Sequence, residues 1–351
     1  MRDLPSPVEF GLRDFVDWMR GAAAAAEVGP FASDTPQIVV VDLDGGAVEM
    51  PWPLQMIPCV LVGRTRRPER IAPAAAALVD VVICENDDGM SDARVVASGL
   101  KAEECLSQIQ QTVAQNPVAA TAFALLLRNF AAASVADGLV AESITYAALQ
   151  GAAEYASWRR KHPIRAVNDA EQPRVLSRRD GDRFEITLFR PDRHNAFDTL
   201  MRDALTSALE EAAASGARHI TIRGEGRSFC SGGDLDEFGT APDPAVAHLI
   251  RMAANTSRML VGLASRLEAQ LHGSCVGSGL EMAAFASTVS ARRDSRFLLP
   301  EIGMGLIPGA GGSVSIRQRI GRHRTAYLGL SGVWLDVDTA LQWGLVDRIT
   351  D

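Results

Sequence analysis

Short apolar runs alternate with amphipathic segments along most of this chain, a pattern typical of α/β proteins. In the first hundred residues the pattern predicts a helix, two strands, a second helix and a third strand, at Val8–Glu27, Ile38–Leu43, Cys59–Val62, Pro73–Val79 and Val81–Cys84. From Lys101 to His162 apolar residues recur at three- and four-residue spacing, which predicts helices within Cys105–Ala114, Val118–Phe130 and Ile144–Trp158.

A charged segment with two prolines, residues 163–182, is predicted to be the main linker. After it, strand and helix patterns alternate, at Phe184–Phe189, Met201–Ala214, His219–Arg223, Ala245–Ala264, Leu267–Leu271 and Glu281–Ala286. This order predicts parallel strands with ligands bound near their carboxyl ends. We therefore expect three regions: a helix with a small α/β segment (1–100), a helical region (101–165) and a core that carries the active site (174–351).

Composition narrows the class of protein. A net charge of −8 over 351 residues argues against nucleic acid or an anionic membrane as the main partner. Five cysteines without a CxxC pair indicate reduced thiols, and the polar start of the chain does not look like a signal peptide. We expect a cytoplasmic protein. The six histidines lack metal-ligand spacing, so no metal site is predicted.

Two glycine-rich turns carry candidate chemistry. One is Cys230–Asp234, in which Gly232 and Gly233 allow a ligand close to the backbone. The other is Gly277-Ser278-Gly279, just ahead of a predicted helix. N–H groups at a helix start lack intrahelical partners and favour negative charge, so converging turns would hold an oxyanion. Each turn taken alone is better explained as an ordinary chain reversal.

Two glutamates lie close to these turns in sequence. Glu281 falls in the first turn of the predicted helix, where it would complement the helix dipole. Glu301 follows Pro300 after an apolar strand, where an exposed charge is also ordinary. Their spacing of 20 residues, between glycine-rich turns, favours a pair that divides general-acid and general-base work on one water molecule.

Five stretches in fixed order resemble the crotonase (enoyl-CoA hydratase/isomerase) superfamily: RPDRHNAFD (190–198), GRSFCSGGDL (226–235), HGSCVGSGLEMA (272–283), FLLPEIGMGLIPGAGGS (297–313) and ALQWGLVD (340–347). The resemblance implies an α/β fold with a crotonase-like core of ββα repeats. It also implies a coenzyme A thioester substrate, whose carbonyl lies between the N–H groups of Gly233 and Ser278. The family usually has glycine at the second position.

The resemblance also assigns binding residues. It places Arg193, His194, Asn195 and Ala196 around the pyrophosphate and adenine of coenzyme A, and Arg227 near its phosphates. The remaining implied substrate contacts belong to the two turns and the strand end before Glu301: Ser231, Gly232, Asp234, Leu235, Gly277, Gly279 and Pro300. The resemblance implies no metal and no cofactor beyond the coenzyme A of the substrate, and a homotrimer or hexamer.

Both glutamates match the catalytic pair of the family's hydratases. This favours syn addition of water to a 2-enoyl-CoA, with Glu301 as proton donor and Glu281 holding the water. Isomerases and a cofactor-free dioxygenase of the superfamily remain alternatives, as does a non-catalytic subunit that binds coenzyme A esters. The string VVVDLDGGAV (39–48) resembles the start of haloacid-dehalogenase-type phosphatases, but Gly46 replaces the expected Thr or Val and no matching Lys motif follows.

The order of segments departs from the family. Its members continue past the GLVD segment into helices that cover the active site, and this chain stops at Asp351. Residues 103–162 resemble those helices, with a GL-x-x-E helix and an end that reads WRRK where the family has W-x-x-R. We expect a permuted order, in which helices of the first half complete the core. An unrelated helical domain is the alternative.

Overall fold

The computed structural model describes residues 7–20, 28–30, 35–45, 56–87, 92–130, 134–165, 172–241 and 243–351. The chain forms two compact units that interleave along the sequence. The first unit contains residues 1–141, 301–307 and 321–333. The second contains residues 142–300, 308–320 and 334–351. The division passes through the predicted helical region, at Ala141.

A five-stranded sheet organises the first unit. Its strands lie in sequence order and all run parallel: β1 (Val8–Gly11), β2 (Ile38–Asp42), β3 (Val60–Thr65), β4 (Val81–Cys84) and β5 (Val95–Ser98). The inner strands are buried almost throughout, as expected for parallel strands covered on both faces. The helices of this part are α1 (Leu12–Met19), α2 (Pro73–Leu78), α3 (Leu100–Gln115) and α4 (Pro117–Asn129).

A buried ion pair fastens α4 to this sheet. Arg128 Nε donates to Asp80 Oδ1 at 2.7 Å, and both side chains are only 1% exposed. The guanidinium also donates to the carbonyl oxygens of Ile57 and Cys59, while Asp80 Oδ2 accepts from Leu61 N at 2.8 Å. These partners provide the hydrogen bonds that a buried charge pair requires.

The second unit begins within α5 (Val135–Gln150) and continues with α6 (Ala153–Lys161). Its main sheet has the order β14-β11-β9-β8-β7-β6, parallel except for the first hairpin. These strands span Val175–Asp180 (β6), Arg183–Leu188 (β7), His219–Gly224 (β8), Leu267–Leu271 (β9), Thr288–Arg292 (β11) and Arg348–Thr350 (β14). A smaller sheet joins β10 (Ser274–Val276), β12 (Arg296–Leu298) and β13 (Leu335–Asp336).

The helices that follow these strands are α7 (Thr199–Ala214), α8 (Pro244–Ala253), α9 (Thr256–Leu263), α10 (Ser278–Ala283), α11 (Gly312–Ser331) and α12 (Val337–Trp343). Gly321, at φ 78°, interrupts α11. Two ββα repeats, β6-β7-α7 and β9-β10-α10, confirm the predicted mixed architecture with parallel strands. No helix of the described segments is long and apolar enough to cross a bilayer.

Several predicted elements are wrong in detail. The helix expected from Val8 begins only at Leu12, because residues 8–11 pair with β2 instead, and its expected end at residues 21–27 lies outside the described residues. The predicted linker contains β6, which turns at Gly181 (φ 60°) to pair antiparallel with β7. Asn255 splits the long helix expected before Ala264, because its side chain caps α9 by accepting from Ser257 N.

Candidate active site

The two glycine-rich turns lie against each other in the second unit. Cys230 N donates to Ser274 O at 3.4 Å, and Val276 N donates to Cys230 O at 3.0 Å. A Cβ on Gly279 would lie 2.6 Å from the Cβ of Cys230. Only glycine at position 279 therefore permits this approach.

Backbone pairing sets the direction of the Gly233 N–H. Phe197 N donates to Gly232 O at 2.8 Å, and Asp234 N donates to Phe197 O at 3.0 Å. In a parallel bridge the residue between these two bonds directs its own N–H away from the partner. The Gly233 N–H consequently points away from Phe197, as an oxyanion donor at this turn requires.

The second turn presents its N–H groups at the start of α10. Gly277, at φ 47°, donates its N–H to Leu298 O, and its carbonyl accepts the Glu281 N–H at 2.9 Å. This is the first bond of the helical ladder, so the N–H groups of Ser278 and Gly279 have no intrahelical acceptor. Two turns in contact thus each offer backbone donors, which is the arrangement expected of an oxyanion hole.

The contact between the turns can be tested by Gly279→Ala. The added methyl group would meet Cys230, so we expect a loss of about 1–3 kcal/mol in the free energy of unfolding, together with reduced turnover of a thioester. Gly262→Ala in α9 is the matched control, because nothing lies within 4 Å of a Cβ there and alanine favours a helix. Urea denaturation of both variants measures the difference. Equal stability of the two would contradict the close packing.

Glu281 is buried behind the second turn, with 2% exposure. Its Oε2 accepts hydrogen bonds from Ala310 N at 2.7 Å and Gly312 N at 2.9 Å. A Cβ on Gly312 would lie 2.6 Å from Glu281 Cγ, which explains the need for glycine at that position. Two bonds to rigid backbone therefore hold this carboxylate in one orientation.

A second carboxylate, that of Glu142 in α5, binds the loop that contains Ala310 and Gly312. Its Oε1 accepts from Gly311 N at 2.7 Å, and its Oε2 accepts from Ser313 N at 2.9 Å and Ser313 Oγ at 2.6 Å. Burial raises the pKa of Glu142 to about 7, against the lowering effect of these bonds. The sequence pattern identified the GL-x-x-E helix but not this residue as part of a site, since its partners lie about 170 residues away.

Glu301 opens a short 3₁₀ helix (Glu301–Met304) directly after half-buried Pro300 and is 8% exposed. Its backbone oxygen accepts from Leu306 N at 2.9 Å. Burial contradicts the alternative of an exposed charge at a strand end. Glu301 belongs to the first compact unit and Glu281 to the second, so a joint action of the two carboxylates stays a prediction.

The segment assigned to coenzyme A is held by Asn195. This residue is fully buried in a left-handed conformation (φ 54°). Its Oδ1 accepts from Arg190 N at 2.8 Å, and its Nδ2 donates to the carbonyl oxygens of Glu225, Ser228 and Phe229 at 2.9–3.1 Å. The amide therefore shapes the turn. Its neighbour His194 and also Arg227 are exposed, whereas Ala196 is buried.

The side chain of Asp234 is also buried and bound by neighbouring residues. Its carboxylate accepts from Arg190 Nη1 at 2.6 Å, from Arg193 Nη2 at 3.3 Å and from Asp236 N at 3.0 Å. Arg193 donates in addition to Asp236 at 2.7 Å, which lowers the pKa of Asp236 to about 2. The predicted substrate contacts Asp234 and Arg193 thus also brace the first turn. The next residue, Leu235, is exposed, and its carbonyl accepts from Arg159 of α6 at 2.7 Å.

Ser231 and Cys230, the nucleophilic side chains of the first turn, are each held by their surroundings. Ser231 donates its N–H to His194 O and its hydroxyl to Arg193 O at 3.4 Å. Burial raises the pKa of the Cys230 thiol to about 12, so it stays protonated at neutral pH.

Comparison with known proteins identifies the family to which the chain is similar. The enoyl-CoA hydratase/isomerase family model matches residues 183–351. The 1,2-epoxyphenylacetyl-CoA isomerase of Escherichia coli (strain K12) is 30% identical over 183 residues, or 50% of this chain and 70% of that protein. The 2,3-dehydroadipyl-CoA hydratase of the same strain is 32% identical over 165 residues, or 47% of this chain and 64% of that protein.

A crystal structure of enoyl-CoA hydratase from Thermoplasma volcanium GSS1 aligns with 52% of this chain and 74% of its own, at 32% identity and a TM-score of 0.49. The chain spans 64% of the length of several relatives, just under two thirds. The family match includes both glycine-rich turns, Glu281 and Glu301. The chain therefore belongs to the enoyl-CoA hydratase/isomerase family of the crotonase superfamily.

Proposed function

We propose that this protein acts on acyl-CoA thioesters and that its reaction is the hydration of a 2-enoyl-CoA. The observation that carries the proposal is the position of Glu281. Its buried carboxylate follows the free N–H groups of α10 by one helical turn and is fixed by Ala310 and Gly312. An acid–base group thus lies next to donors suited to a developing negative charge.

In this proposal the thioester oxygen is bound by the N–H groups of Gly233 and Ser278. Water oxygen forms a bond to C3 of the enoyl group while the C2–C3 π electrons move toward the thioester oxygen, which becomes an enolate. One donor to such an oxyanion is worth about 3–4 kcal/mol of barrier in a hydrolase. The enolate then collapses, and C2 takes up a proton.

The two carboxylates divide the proton transfers. Glu281 orients the water and accepts its proton as the C3–O bond forms, and Glu301 supplies the proton to C2. Loss of the proton from Glu281 to solvent and uptake of one by Glu301 then restore the starting state. Burial of both side chains favours this role, because a closed site keeps the transferred protons from exchanging with bulk water. The reaction needs no cofactor beyond the coenzyme A of the substrate.

Double-bond isomerisation is the second candidate, since an isomerase and a hydratase both occur among the relatives. An isomerase needs one group that removes a proton and returns it, with the same oxyanion donors. A panel of straight-chain, branched and aryl 2-enoyl-CoAs distinguishes the reactions. We expect loss of the enoyl absorbance with formation of the 3-hydroxyacyl-CoA. A shifted double bond would favour isomerisation, and binding without turnover of any thioester would favour a non-catalytic subunit.

Residues 142–161 support the permuted order of segments. Glu142 binds the backbone at 311–313, Tyr146 lies against Gly309, and Arg159 donates to Leu235 O. These are contacts with the two loops that follow the catalytic motifs. We propose that helices of the first half replace the C-terminal helices of the family. A crystal structure with a bound enoyl-CoA tests this, because α5 or α6 should then line the acyl group.

A further inference from the structure

The loop Ala310–Ser313 is shared by two buried carboxylates in strict alternation. The N–H groups of residues 310 and 312 point to Glu281, and those of residues 311 and 313 point to Glu142. Four consecutive donors are thus divided between two side chains from different helices. Displacement of either carboxylate would disturb the backbone that orients the other.

The loop has little freedom to adapt by itself. Gly311 adopts φ +103°, and a Cβ there would lie 2.6 Å from the ring of Phe285. Ser257 Oγ donates to Ala310 O at 2.8 Å, and Ser315 Oγ donates to Glu281 O at 2.7 Å. These contacts restrain the loop, and Glu142 adds two further backbone hydrogen bonds to it.

The surroundings of Glu142 fit a structural anchor rather than a solvent-exposed charge. Glu142 is 2% exposed, and the next residue, Ser143, binds α8 through His248 Nδ1 at 2.8 Å and Arg251 Nε at 3.1 Å. Arg251 stacks over the ring of Tyr146 at 4.6 Å and acts on the Glu142 carboxylate by its charge only. Within the described part of the chain, the hydrogen bonds of the Glu142 carboxylate go to the loop.

We infer that Glu142 is a positioning residue for Glu281, acting through the loop Ala310–Ser313. The inference rests on the proposed role of Glu281 in proton transfer. It assigns to α5, which lies outside the segment matched by the family model, a part in the reaction. The role is indirect: Glu142 fixes the N–H groups of Gly311 and Ser313, and the intervening N–H groups then hold Glu281 in its productive orientation.

The test uses Glu142→Gln in the full chain with the best enoyl-CoA substrate. Glu142 uses both oxygens, so glutamine would direct an NH₂ group at either Gly311 N–H or Ser313 N–H and displace the loop. Misplacement of a catalytic group by about 1 Å costs about 100-fold in rate. We expect kcat to fall about 100-fold while KM changes less than about threefold. Glu210→Gln, on an exposed site of α7, is the control and should leave both constants unchanged.

A double-mutant cycle separates positioning from a general loss of structure. If Glu142 acts through Glu281, Glu142→Gln should lower kcat less than about threefold further in a Glu281→Gln background. An equal loss in both backgrounds, or an unchanged kcat in the single variant, would overturn the inference. Full activity of Glu281→Gln alone would instead overturn the proposed function.

If Glu142→Gln does not fold, Ser313→Ala tests whether Glu142 positions Glu281. It removes one donor to Glu142 and keeps every N–H of the loop. We expect kcat to fall about fivefold with unchanged KM, and no further fall beside Glu281→Gln. Amide hydrogen exchange at residues 310–313 provides a readout without turnover, and it should be faster in Ser313→Ala than in the parent. Unchanged exchange with unchanged kcat would refute positioning by Glu142.

Discussion

Glu281→Gln is expected to lower kcat for a 2-enoyl-CoA by about 10²–10⁴-fold, the usual contribution of a positioned acid–base group. Glutamine at this position removes the acid–base group and can keep both hydrogen bonds to the loop. Both loop bonds converge on Oε2, so the amide oxygen can accept from Ala310 and Gly312 together, and the loop should keep its place. The chemical group is lost while the local structure is retained. We therefore expect KM and coenzyme A binding to change little.

Glu301→Gln should produce a loss of similar size if the two carboxylates share the work. Steady-state kinetics of both variants, with Glu210→Gln as an exposed control, measures the effect. The double variant should be only slightly slower than the slower single variant, because groups that act as a unit are not additive. Full turnover by both single variants would refute the carboxylate pair and with it the hydration mechanism.

Arg128→Met is expected to destabilise the first unit by about 3–5 kcal/mol, the usual cost of breaking a buried ion pair by removing one partner. The substitution leaves the Asp80 carboxylate buried with Leu61 N as hydrogen-bond donor and the Arg322 guanidinium 3.9 Å away. It also removes the donors to Ile57 O and Cys59 O at the start of β3. The effect should appear in the urea midpoint of this unit.

Arg67→Met is the control for that experiment, because Arg67 is exposed on the same unit and its side chain lies outside this network. It should change the free energy of unfolding by less than about 0.5 kcal/mol. Arg128 shares the first unit with Glu301, but its hydrogen bonds go to Asp80, Ile57 and Cys59. The folded fraction of Arg128→Met should therefore retain its kinetic constants. A stability equal to that of the control would show that the buried pair contributes nothing net.

Periodicity and turn residues predicted most elements, and for physical reasons. Two strands were predicted at their observed bounds: Val81–Cys84 is an apolar run rich in β-branched residues, and Leu267–Leu271 alternates apolar and polar residues. Residues 8–11 were not, because the same apolar spacing fits the first turn of a helix, and only pairing with β2 decides. The local sequence pattern of residues 8–11 does not reveal that they pair with β2.

The same limit applies to the candidate site, where the sequence reveals some residues and not others. The glycine-rich turns and Glu281 could be found from the sequence, since each lies within a short contiguous motif. The roles of Asn195, Asp234 and Glu142 could not, because each depends on partners supplied by distant segments. A buried side chain is satisfied by whatever the fold brings to it, and that information is tertiary.

The interleaving of the two units has a practical consequence for dissecting this protein. The chain passes from one unit to the other at five places, at 141/142, 300/301, 307/308, 320/321 and 333/334. No single truncation can therefore release either unit whole: a fragment that ends at Ala141 lacks the returning segments 301–307 and 321–333. Experiments that exchange domains, cut the chain by limited proteolysis or fuse it to another protein should therefore be designed for the whole chain and not for one unit.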